Sequence, residues 1–78
     1  MTINEAFGDV AEILAGLAPE RVVDIKAPIH ISERVELLVN RKKDGIITYE
    51  ETMELERFLA LNMLISLAKA RARVLLAA

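Results

Sequence analysis

TYEETMELERFLALNMLISLAKARARVLL, running from Thr48 to Leu76, is the stretch on which the fold turns. It opens with Thr48-Tyr49-Glu50-Glu51, a threonine three residues ahead of a glutamate. In that pattern each side chain satisfies a free backbone N–H of the other at a helix start. No Gly or Pro occurs between Thr48 and Ala78. Glu50, Glu51, Glu54 and Glu56 fall in the first turns and Lys69, Arg71 and Arg73 in the last, the polarity that the helix dipole favours. The spacing predicts one helix over 48–76, roughly 40 Å long at 1.5 Å per residue. A compact chain of 78 residues has a diameter near 30 Å, so one end is expected to reach beyond its own domain or lie against another.

The second half of this helix is apolar on most sides. Only Asn62, Ser66, Lys69 and Arg73 form a polar stripe, at steps of four, three and four. A helix that is apolar nearly all round is normally buried nearly all round. The shorter helices before it cover two faces at most. A second copy of the chain is the simplest completion, with a dimer favoured by symmetry. The residues expected at that interface are Phe58, Leu61, Leu64, Ile65, Ala68 and Leu75, with Lys69, Arg71 and Arg73 setting orientation.

Upstream, Gly and Pro divide the text. Ile3, Phe7, Val10, Ile13, Leu14 and Leu17 recur at helical spacing, with Asn4, Asp9 and Glu12 opposite them. Thr2-x-x-Glu5 is a capping-box pattern, so a helix is expected over 2–17. Pro19 suits the first turn of a short helix over 19–26. Pro28 has no N–H and turns Ala27 away from helical geometry, which predicts an extended connector through Ile31. Ser32 then caps a helix over 32–43 with Val35, Leu38 and Val39 inside, and Gly45 takes the left-handed turn after it. The expected fold is therefore all-α and a single domain over 1–78. It has three main helices, one short one, and a long C-terminal helix forming an oligomeric bundle.

Composition sharpens this. The chain is 54% hydrophobic and 28% charged with a net charge of −2, and its mean hydropathy is +0.34. A domain this small buries only about 60–65% of its unfolded surface, so this many apolar residues need a further destination. The most apolar run, Phe58 to Ala68, is interrupted by Asn62 and Ser66 and falls short of the roughly 20 residues that span a bilayer. Met1-Thr2-Ile3-Asn4-Glu5 has no basic start of the secretory kind, which points to the cytoplasm. The near-neutral charge speaks against a general nucleic-acid binder. The cluster Glu50, Glu51, Glu54, Glu56 would repel phosphates if this helix entered a DNA groove.

Several groups invite a chemical reading. Asn40 to Glu51 has the length of an EF-hand loop, with Asn40 at position 1, Asp44 at 5, Gly45 at 6 and Glu51 at 12. Lys42 stands at position 3, where a ligand belongs, and Arg41 and Lys43 cancel the negative charge a hard cation needs. Asn40, Asp44 and Glu51 are thus weak metal candidates, and a helical hairpin explains the same residues. Glu50, Glu51 and Glu54 lack the histidines of a di-metal bundle site. His30, the only histidine, has no nucleophile pattern around it, and the absence of cysteine excludes thiol catalysis and cysteine zinc sites. No catalytic residue and no cofactor is expected. A membrane-surface helix over 58–78, with Lys69, Arg71 and Arg73 at the headgroups, is the other reading of the apolar helix. The acidic start of the same helix and its apolar circumference favour a protein partner.

Three stretches carry a family likeness: Glu33-Arg34-Val35-Glu36-Leu37-Leu38; Arg41-Lys42-Lys43-Asp44-Gly45-Ile46-Ile47-Thr48-Tyr49-Glu50-Glu51; and Leu67-Ala68-Lys69-Ala70-Arg71-Ala72-Arg73. With Glu54 to Leu59 between the last two, they resemble a group of small, antitoxin-like bacterial helical proteins of the kind associated with HNH-type nucleases. The likeness spans about half of the chain, from Glu33 onward. It implies a non-enzymatic interaction module with a nuclease or toxin as partner, and its matching residues are turn, cap and core positions.

Overall fold

The computed structural model describes residues 2–78. The fold is all-α: α1 (Ile3–Leu17), α2 (Pro19–Val22), α3 (Ile29–Lys43) and α4 (Tyr49–Ala77). There is no strand among the described residues. The chain has two compact units. One joins the N-terminal segment through Ile25 to Leu61–Ala78; the other is Lys26–Ala60. α4 contributes a half to each.

In the Lys26–Ala60 unit, local signals specify the turn twice over. Asp44 ends α3, and Gly45 follows at φ 72°, the left-handed geometry that a Cβ disfavours. The Gly45 N–H donates to the Lys42 carbonyl and the Ile46 N–H to the Arg41 carbonyl, so the last turn of α3 is closed by a Schellman motif. Three residues later the capping box forms in both directions. The Glu51 N–H donates to Thr48 Oγ1 at 3.1 Å, and the Thr48 N–H donates to Glu51 Oε1 at 3.0 Å. The other oxygen of Glu51 accepts from Arg41 in the last turn of α3. Arg34 donates to Glu54 through Nε at 2.7 Å and Nη2 at 2.8 Å, a two-point bridge from α3 to α4. Leu38 and Leu55 are the buried side chains of this unit, and Val35 and Val39 are half-buried beside the same face of α3.

The bridge makes this unit acid-sensitive. The hydrogen bonds from Arg34 hold the Glu54 carboxyl below its ordinary range. A carboxylate with a lowered folded pKa contributes stability that is complete above its unfolded value of about 4.3 and is lost as pH falls through the folded value. Arg34→Met is therefore expected to lower the melting temperature at pH 7 and to converge with the parent chain toward pH 3. A gap between the two melting temperatures that stays constant with pH would remove this role from the pair.

Two boundaries differ from the sequence expectation. α2 ends at Val22 instead of Lys26, because the backbone tightens into three-residue steps: Asp24 N–H to Arg21 O and Ile25 N–H to Val22 O. Val22, Val23, Asp24 and Ile25 are all poor helix formers. α3 begins at Ile29, three residues before Ser32, with Pro28 as its N-cap at φ −54° and ψ 146°. Proline restricts the residue before it, Ala27, and leaves the residues after it free. The Pro28 carbonyl accepts from the Ile31 and Ser32 N–H groups and starts the helix there. Ser32 is inside the first turns of α3, and His30 sits exposed in its opening turn.

The other unit is held by small side chains. α1 starts at Thr2, whose Oγ1 accepts the Glu5 N–H at 3.1 Å. Its buried residues are Ala11 and Ala15, one helical turn apart. They cluster with Ala68 and Ala72 of α4, also one turn apart, and with Val22 of α2. Val23 and Leu64 are half-buried against this cluster. Alanine at matching four-residue steps lets two helices approach closely along one contact row.

Candidate interaction surface

With alanines inside, many of the large side chains of this unit lie outside. On α1 the sequence reading put Ile3, Val10, Ile13 and Leu17 on the buried side, yet all four are exposed, Ile13 to 65% and Leu17 to 75%. With half-buried Ala6 they recur at steps of three, four, three and four. At 3.6 residues per turn this row lies roughly 140° around the helix from Ala11 and Ala15. α4 carries a row of the same kind. Met63, Leu67, Ala70, Val74 and Ala77 recur at steps of four, three, four and three, and all are exposed, Val74 to 63%. This alternation of three and four is the period by which one helix interlocks with another along a shared seam. Each helix thus shows one face to its neighbour in the chain and a second apolar face to nothing.

The residues expected at an interface are spread over these environments. Ala68 is 2% exposed because α1 covers it, and Leu64 packs against the same alanine cluster. Both belong to the chain's own interior. Phe58, Ile65 and Lys69 are half-buried. Leu61, Leu75, Arg71 and Arg73 are exposed. The exposed seam of α4 was not the side selected from sequence. Alanine spacing was the available signal, since Ala11/Ala15 and Ala68/Ala72 both repeat at four.

Charge is divided between the two helices. α1 carries Glu5, Asp9 and Glu12 and no Lys or Arg; residues 61–77 of α4 carry Lys69, Arg71 and Arg73 and no Asp or Glu. Among the described residues no group of three His, Asp or Glu side chains is placed to hold a metal ion. Of the weak metal candidates, Glu51 is engaged by Thr48 and Arg41, and the Asp44 backbone caps α3 while Asn40 supplies it with a carbonyl acceptor. Among the same residues no helix is long and apolar enough to cross a membrane.

No family model, curated protein or solved structure matches the chain.

Proposed function

We propose that this chain is a cytoplasmic, non-enzymatic interaction module that works as a homo-oligomer, a dimer in its simplest form. The observation that carries this reading is one of surface. Large apolar side chains are exposed on both α1 and the second half of α4, among them Ile3, Ile13, Leu17 and Val74 at 63% or more. The interior between those helices is mostly alanine. An apolar face of this kind is the mark of a protein-protein interface. Two charged pairs, Arg34–Glu54 and Arg41–Glu51, tie α3 to α4. The antitoxin-like resemblance supports a regulatory role for the assembled module, with a bacterial nuclease or toxin as its further partner.

Light scattering after size exclusion tests the reading. The parent chain is expected at twice its monomer mass or more. Val74→Glu, at a position exposed within the chain, is expected to shift the protein to monomer without loss of helix content. A parent chain that stays monomeric at micromolar concentration would sink the proposal. Sedimentation of such a monomer with anionic vesicles would establish the membrane-surface reading in its place.

A further inference from the structure

We infer that the second copy pairs through α4 alone: two α4 helices run antiparallel, face to face, about a two-fold axis at Met63. This rests on the self-association proposed above and specifies its geometry. The outward row of α4 continues upstream of Met63. Leu59, Glu56, Thr52 and Tyr49 precede it at steps of four, three, four and three. Leu67, Ala70, Val74 and Ala77 follow it at the same steps. All of these except half-buried Thr52 are exposed. At 3.6 residues per turn, each lies within roughly 40° of Met63 around the helix. The positions that α4 already uses within the chain lie elsewhere. Glu51 and Glu54, which accept from Arg41 and Arg34 of α3, and Ala68 and Ala72 of the alanine cluster are roughly 120–180° away. The outward row of α1 takes no part in this contact.

A row with the same steps in both directions is self-complementary under a two-fold axis, the symmetry of a closed dimer. Turned end for end about Met63, Leu59 meets Leu67, Glu56 meets Ala70, Thr52 meets Val74 and Tyr49 meets Ala77. The alternation of three and four then interlocks along the whole seam. Charge sets the direction. α4 opens with Glu50, Glu51, Glu54 and Glu56 and closes with Lys69, Arg71 and Arg73. Parallel copies would set like charges together at both ends. Antiparallel copies set the acidic end of each beside the basic end of the other, and like-charge juxtaposition is costly across an interface. Glu56 is the decisive residue, the one charged member of the row. The small Ala70 opposite leaves room for it, and the next side chain on the partner is Arg71. At roughly 80° from the row, Arg71 flanks the seam, the place from which charged side chains pair across two helices.

The chain contains no cysteine, so introduced thiols report contacts without background. A disulfide requires Cα atoms within about 7 Å. Met63→Cys lies on the axis and is expected to crosslink to its own copy on mild oxidation, read by intact mass. Val74→Cys is expected to stay unlinked, because its copy lies roughly 33 Å away along the pair at 1.5 Å per residue. In the second arm, Glu56→Arg and Arg71→Glu are each expected to weaken the dimer about tenfold or more by sedimentation equilibrium, and the two together to restore it. A disulfide through Val74→Cys would show parallel helices and overturn the inference. Dimers linked through neither thiol would overturn it by placing the interface elsewhere, and a double variant no tighter than the single ones would overturn the register. Each of these results leaves self-association intact. A parent chain of monomer mass would remove the self-association reading itself.

Discussion

Ala72→Leu is expected to destabilise the unit formed by α1, α2 and the second half of α4 by about 3 kcal/mol, the upper end of the range for overpacking a close-packed contact. Ala72 is fully buried in a cluster whose other members are Ala11, Ala15, Ala68 and Val22. Three added carbons have no space between helices that approach at alanine distance, so either α1 separates from α4 or the leucine adopts a strained rotamer. Helix propensity cannot produce such a loss, because alanine and leucine are both strong helix formers. A chain of 78 residues has a total stability of only about 4–12 kcal/mol, so the substitution takes a large part of it. Urea unfolding followed by circular dichroism at fixed protein concentration reads the effect. An unchanged midpoint would mean that the alanine row is not a close contact.

Leu38→Ala is expected to cost about 2–5 kcal/mol, the range for deleting a leucine from a packed interior. Leu38 is the largest side chain that is fully buried, with Leu55 as the other buried residue of its unit. The two ion pairs across α3 and α4 remain possible in the variant, but partly exposed pairs contribute little by themselves. Loss of the leucine therefore leaves the hairpin with caps and bridges around a void. Leu38→Met, which nearly conserves volume, is expected to cost less than about 1.5 kcal/mol. Equal midpoints for Leu38→Ala and the parent chain would contradict the central position of this residue.

How much of the molecule is legible from sequence depends on how local each signal is. The Thr48/Glu51 box, Gly45 and Pro19 at the head of α2 act within a few residues, and each stands in the structure where the sequence puts it. Pro28 shows the limit of the same logic: its restriction falls on Ala27, so the helix after it begins at once and Ser32 has no cap to make. The all-α architecture and the length of α4 were legible for the same local reasons. The inner face of α4 was not. A helix apolar on most sides gives its periodicity no direction, and weighting by size favours leucine and isoleucine over alanine. Contact with α1 is decided by the opposite property, since Ala68 and Ala72 admit a neighbouring helix where larger residues hold it off. On α1 the same bias reversed the assignment of Ile3, Val10, Ile13 and Leu17, which face outward.

The alanine cluster also bears on the order in which the molecule assembles. Arg41 meets Glu51 ten residues along the chain and Arg34 meets Glu54 twenty along, with a doubly specified turn between them. Ala15 and Ala68, by contrast, are roughly fifty positions apart. The entropy of closing so long a loop must be met before its contact yields anything, and four methyl groups yield little. The α3–α4 hairpin is thus the natural early product of folding, with α1 docking late. A docking step that closes on alanine leaves the outward apolar rows as accessible after it as before, so it orders α1 without covering them.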